Sequence, residues 1–151
     1  MSVFLVRVGV LVFVSILLFL VVWSGRRFVE AQRRRALAAG PITSGSGDTD
    51  AYSGLSLVHI LAFSSDDCRQ CHEMQIPALQ RVLDARGSKV SVAEVDAPNS
   101  PDLTQRYRIL TLPSTVIMDA AGRAHAVNYG FANTQRLLDQ VDEVLAHVSV
   151  S

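Results

Sequence analysis

Apolar and polar positions change rhythm several times along the chain, and each change predicts a different kind of element. Val8 to Trp23 is uncharged and almost wholly apolar, and the run reaches back to Val3 if Arg7 snorkels toward lipid head groups. About 20 apolar residues cross a bilayer, and 3–23 supplies that length. No clear small-x-small cleavage site follows the run, and Trp23 stands where an interfacial anchor would. A retained transmembrane helix over 1–25 is therefore expected rather than a cleaved signal. From Arg26 to Ala39 the residues are good or tolerable helix formers with five arginines among them, and Gly40-Pro41 is a stop. Ile42 to Ser53 is rich in Gly, Ser, Thr and Asp with no hydrophobic period, so 26–53 reads as a basic juxtamembrane helix followed by a flexible linker.

Folded-domain patterning begins at Gly54 and continues to the end, giving a domain over 54–151. Leu55 to Phe63 is a mostly apolar run, interrupted only by Ser56 and His59, and reads as a strand buried on both faces. Cys71 to Arg86 carries Met74, Ile76, Leu79, Val82 and Leu83 at helical spacing, with Gly87 as the stop. Val90 to Val95 predicts a second strand, and Pro101 to Tyr107 a short helix with Ser100 as its cap and Pro101 at its first position. Ser114 to Met118 and Ala124 to Tyr129 predict a hairpin, and Thr134 to His147 an amphipathic helix with Leu137, Leu138, Val141 and Leu145 inward. The order is β-α-β-α-β-β-α, an α/β domain in which a parallel crossover leads into an antiparallel hairpin and a last helix.

Charge changes this picture in one respect. The formal net charge is zero, but six arginines against one glutamate precede residue 46, and eight basic against thirteen acidic groups follow it. The basic part lies beside the membrane, where anionic lipid attracts it. The acidic domain carries no basic patch with interleaved aromatics, which argues against nucleic acid as a partner. Five arginines follow the span and one precedes it, a bias that places the C-terminal domain in the cytoplasm.

The chemistry concentrates in Phe63 to Met74, which holds both cysteines of the chain, Cys68 and Cys71, between a buried strand and a helix. Delivered to the first turn of a helix, the first sulfur meets unpaired backbone N–H groups and the positive end of the helix dipole, which favour the thiolate. Arg69 beside that sulfur is expected to favour its thiolate, and Asp66 and Asp67 just before it to oppose that. Rival readings use the same residues. Cys68-Arg69-Gln70-Cys71-His72 has the pattern of covalent haem c attachment, although small c-type cytochromes are helical and Met74 is too close to His72 to ligate the opposite face. Zinc needs four ligands, and His72 with a distant His59 or His125 is a weak substitute for a second cysteine pair. His59 is expected to pack in its strand, and His125 and His147 to face solvent. A purely structural disulfide closing so small a loop gains little entropy.

The element order, the Cys-x-x-Cys at the first strand-to-helix junction and Leu112-Pro113-Ser114 opening the third strand together resemble the thioredoxin fold over about 55–148. The resemblance implies a thiol-disulfide oxidoreductase without a cofactor, with protein thiols and disulfides as substrates and a separate redox donor. It implies Cys68 as the attacking thiolate, Cys71 as the resolving thiol, a cis Pro113 beside Cys68, and Leu112 offering its backbone to an extended substrate. Tethered bacterial proteins of this kind usually face the oxidising side of the membrane, against the arginine bias. The sequence also departs from the family. Asp67-Cys68-Arg69-Gln70-Cys71 replaces Trp-Cys-Gly-Pro-Cys, the buried carboxylate falls at Ala62, its lysine partner falls at Glu94, and the helix proline comes one residue late at Pro77. Glu94 is a candidate substitute proton acceptor for Cys71. A binding module on this fold that no longer catalyses is the alternative class.

Overall fold

In the computed structural model of the chain, residues 2–38 and 56–148 are described, and the expected linker from Ile42 to Ser53 lies outside them. The chain divides into two compact units, Met1–Arg34 and Arg35–Ser151. Helix α1 runs Ser2–Leu37. Within it Leu11–Leu37 is long and apolar enough to cross a membrane, with a mean hydropathy of 1.9 over its most apolar stretch. Just past the apolar run the Arg27 guanidinium lies 4.2 Å from the centroid of the Trp23 ring, and Arg34 pairs with Glu30 at 3.5 Å.

The second unit contains strand β1 (Val58–Ser64), helix α2 (Ile76–Arg86), strand β2 (Val90–Asp96), helix α3 (Pro101–Arg106), strands β3 (Ser114–Asp119) and β4 (Ala124–Tyr129), and helix α4 (Thr134–Val148). The four strands form one sheet in the order β2-β1-β3-β4. β1 pairs parallel with β2 and antiparallel with β3, so it is central and every residue in it is buried. This is the thioredoxin-like architecture that the element order implies. The apolar run begins its strand at Val58 rather than at Leu55, since Ser56 and Leu57 precede the first ladder residue.

Alternation along β1 sorts the core into two layers. Val58, Ile60 and Ala62 face one way, with Val90 and Ile117, onto Ala78, Leu79 and Val82 of α2 and Leu137, Val141 and Val144 of α4. Leu61 and Phe63 face the other way, with Val95, Val116, Met118 and Val127, around Tyr107. Phe63 and Tyr107 meet edge to face at 6.3 Å, and the Tyr107 hydroxyl reaches Met118 Sδ at 3.3 Å.

Far from the cysteines, the β3–β4 turn is built on one carboxylate. Asp119 accepts hydrogen bonds from the amides of Ala121 (2.9 Å) and Arg123 (3.0 Å), from Arg123 Nε (3.0 Å) and from His125 Nε2 (2.9 Å), and its side chain is 4% exposed. Burial pushes this carboxyl up, but the bonds from His125 and Arg123 outweigh it and hold the group below its ordinary range. His125 is exposed, as the sequence predicts, and is also tied to the turn through Asp119. Its ring also stacks against His147 at 6.4 Å. His59 packs in β1 as expected, with Nδ1 2.6 Å from Ser91 Oγ; burial pushes its imidazole down, against the opposing pull of Asp119. Ser100 makes no side-chain cap on α3. Its carbonyl takes the Thr104 amide instead, and Thr104 Oγ1 closes the turn onto the Pro101 carbonyl.

Candidate active site

β1 ends at Ser64, and a tight turn carries the chain through Asp66 and Asp67 to Cys68, whose amide bonds the Ser65 carbonyl at 3.0 Å. A helical turn starts directly behind it, and Cys68 and Cys71 are joined as a disulfide. The two sulfurs are unequal. Cys71 is 1% exposed under the helix, whereas Cys68 is half-buried at its start. The Cys71 amide points at Cys68 Sγ at 3.2 Å, the backbone donor that a thiolate at Cys68 would use.

The helix behind the pair is not regular. Cys71–Gln75 is a π-turn, closed by the Ile76 amide on the Cys71 carbonyl, and regular α-helix resumes at Ile76 with Pro77 in its first turn. A wide i→i+5 turn takes up one residue more than an α-turn. That accounts for the late proline and corrects the helical phase read from the sequence. Met74 and Ile76, expected on the inner face, are 44% and 40% exposed, while Gln75 turns inward and is 2% exposed. Downstream of the π-turn the expected phase returns, with Leu79 and Val82 buried and Leu83 packed beside them. Gln75 Nε2 donates to the Ala132 carbonyl at 3.2 Å, and the Ala132 amide donates to Gln75 Oε1 at 3.0 Å. Nothing in the apolar pattern marked Gln75; the displaced proline was the one available signal.

Arg69 lies on the first helical turn, and its Nε donates to Glu73 Oε1 at 2.7 Å along the helix surface, with the side chain 84% exposed. Its charge is shared with a neighbouring carboxylate instead of being reserved for the sulfur. Asp67 is exposed at the turn, and its carbonyl accepts the Arg69 amide at 3.1 Å.

Glu94 pairs in register with Ala62 across β1 and β2. Its neighbours Val90 and Val92 belong to the layer under α2, so alternation sets Glu94 on the same face as Ala62 and α2, at the edge strand. Glu94 is exposed there and lines an open cleft of about 350 Å³ with Ser64, Ser65, Asp66, His72 and Asp96. Among the described residues no hydrogen bond links Glu94 to either cysteine. Opposite this cleft, the Leu112–Pro113 peptide is cis. Phe63 pairs with Ser114, and one further step of that register brings Pro113 beside Ser64, at the end of β1 that leads to the cysteines. Pro113 is buried and Leu112 half-buried, and Ser114 Oγ fixes the bend by donating to the Thr111 carbonyl at 2.7 Å.

A central parallel-antiparallel strand, a Cys-x-x-Cys at its C-terminal end and a cis-proline beside it define a thiol-disulfide oxidoreductase of the thioredoxin fold. A sequence model described as Thioredoxin matches residues 54–143. The thioredoxin of Alicyclobacillus acidocaldarius subsp. acidocaldarius is 30% identical over 78 residues, covering 52% of this chain and 72% of that protein. Among solved structures, chloroplastic thioredoxin z is 25% identical with a TM-score of 0.55, over 71% of this chain and 96% of the other. The oxidised form of mitochondrial thioredoxin 3 from Saccharomyces cerevisiae shares the fold at 22% identity and a TM-score of 0.51, over 59% of this chain and 80% of the other. The chain belongs to the thioredoxin family.

Proposed function

We propose that this chain is a membrane-tethered thioredoxin that exchanges disulfides with protein substrates through Cys68 and Cys71. The observation that carries the reading is the asymmetry of the pair: a half-buried Cys68 that receives the Cys71 amide at 3.2 Å, above a Cys71 that is 1% exposed. Cys68 as thiolate attacks one sulfur of a substrate disulfide, forming a mixed disulfide and expelling the other substrate sulfur as a thiolate. Cys71 then loses its proton and attacks Cys68 Sγ, which releases the second substrate thiolate and forms the Cys68–Cys71 disulfide. Two electrons pass to the substrate, and a dithiol donor returns the pair to the reduced state. Leu112 and Pro113 flank the site on the β3 side and position an extended substrate segment. Glu94, on the face shared by Ala62 and α2, accepts the Cys71 proton through water in the cleft. The exposed Met74, Ile76 and Phe131 supply an apolar rim of the kind that protein substrates cover.

α1 anchors the chain as a single-pass membrane helix over 1–25, and the basic segment and linker of 26–53 connect it to the domain of 54–151. Five arginines behind the span support a cytoplasmic domain; the habit of tethered family members supports the opposite side.

The test is kinetic trapping with the full chain in detergent micelles. Reduced Cys71→Ser accumulates a mixed disulfide with a protein substrate through Cys68, and reduced Cys68→Ser accumulates none. Equal trapping by both variants, or by neither, overturns the assignment of roles.

A further inference from the structure

When the Cys68–Cys71 bond opens, the covalent link that holds the first turn of the helix is gone, and the turn behind it has one residue more than an α-helix needs. A π-turn left to itself can pass its extra residue along the helix, which rotates the residues before it. Cys71 is the first residue of that turn, so its sulfur and its amide would rotate away from Cys68. The structure contains a device against this. Gln75 is the last residue of the turn, is 2% exposed, and makes two hydrogen bonds to the backbone of Ala132, itself 0% exposed. Ala132 is held in turn: β4 ends at Tyr129, Gly130 turns the chain at φ 83°, and Asn133 caps α4 by accepting the Arg136 amide at 2.9 Å and the Leu137 amide at 3.1 Å.

We infer that Gln75 is a positioning residue that locks the π-turn in register on the β4–α4 loop, so that Cys71 stays beneath Cys68 while the disulfide is open. The inference rests on the proposed roles of the two cysteines, and it assigns Gln75 to the second step. Attack by Cys68 on a substrate uses the half-buried sulfur, and a slipped turn costs it one backbone donor, the Cys71 amide, while the sulfur itself stays accessible. Resolution needs Cys71 to find the mixed disulfide from a buried position, and a turn free to slip makes that encounter rarer.

The two steps separate with a symmetrical aromatic disulfide whose released thiolate absorbs visible light. Cys68 attack releases the first aromatic thiolate and forms the mixed disulfide. Cys71 attack on Cys68 releases the second. With the reduced full chain in micelles, Gln75→Leu is expected to slow the first release much less than the second, which falls roughly tenfold, the effect of losing about one buried hydrogen bond from the second step. Gln75→Glu gives an independent measure that survives a folding defect in the leucine variant. A protonated carboxyl can both donate to the Ala132 carbonyl and accept from its amide, whereas a carboxylate repels that carbonyl. Its second release, taken as a ratio to wild type at each pH, is expected to match at acid pH and fall as pH rises. Two releases at wild-type rates in Gln75→Leu, or a flat ratio in Gln75→Glu, overturn the inference. A wild-type protein with no second release, or a Cys71→Ser variant with two, overturns the assignment of the cysteines instead.

Discussion

Replacing Asp119 removes the acceptor around which the β3–β4 turn is built. In Asp119→Ala the amides of Ala121 and Arg123 lose their partners and the bonds from Arg123 Nε and His125 Nε2 disappear. An orphaned donor costs about 1–3 kcal/mol when buried and less here, because the turn is part-exposed; the two amides and the lost side-chain bonds from Arg123 and His125 together cost about 3 kcal/mol. In Asp119→Asn the Oδ1 acceptor for both amides survives and only the side-chain bonds from Arg123 and His125 weaken, so about 1 kcal/mol is expected. For a domain of this size about 3 kcal/mol corresponds to a fall in Tm of roughly 15 °C. The carboxyl's folded pKa lies below its unfolded value. Its contribution is therefore complete above about pH 4 and is lost as pH falls through the folded value. His59 acts in a different window. Its folded pKa is also lowered, so the folded state resists the proton that the unfolded chain accepts, and stability declines as pH falls from about 6.5. Thermal unfolding of the full chain in micelles, followed by circular dichroism at pH 7.5, 5.5 and 3.5, separates the two. Wild type should lose stability in both intervals, and Asp119→Asn should keep the upper loss and shed part of the lower one. Equal Tm values for the alanine and asparagine variants at pH 7.5, or a wild-type advantage over Asp119→Asn that does not shrink by pH 3.5, would refute the account of the turn.

Two other predictions concern the site and its surroundings. Glu94→Gln should slow disulfide exchange by about tenfold, less than the ~10² typical of a positioned general base because water in an open cleft replaces part of its work; an unchanged rate in insulin reduction would remove Glu94 from the mechanism. A membrane-impermeant maleimide should label reduced Cys68 in inside-out vesicles and spare it in right-side-out ones, and replacing Arg26, Arg27, Arg33, Arg34 and Arg35 by glutamine should weaken that bias; labelling only from the outside would reverse the topology.

The layered fold was readable because burial follows simple periods. The mostly apolar run that ends at Phe63 read as a strand buried on both faces, and the structure covers β1 (Val58–Ser64) with two layers of side chains. The cysteines and the cis-proline were readable because they are chemically rare and stand at fixed places in the element order. Gln75 was not, because its inward turn depends on one wide turn that shifts the phase of Met74 and Ile76 and then disappears from the pattern by Leu79. Asp119 and Ser100 show the same limit at another scale. A turn can recruit a side chain or a backbone carbonyl for the same hydrogen bond, and residue type alone does not decide which. The face of Glu94 needed the register of β2 against β1, a long-range pairing that no local pattern contains.

The π-turn also bears on how such a chain can change over generations. One residue added inside an ordinary helix would swing everything after it by about 100° around the axis and carry Leu79 and Val82 out of the core. Here the surplus is confined to Cys71–Gln75, and α2 resumes with its buried face intact. The segment next to the reactive sulfurs can thus gain or lose a residue without a compensating redesign of the interior. That gives the most chemically sensitive part of the molecule a freedom of length that its supporting framework does not share.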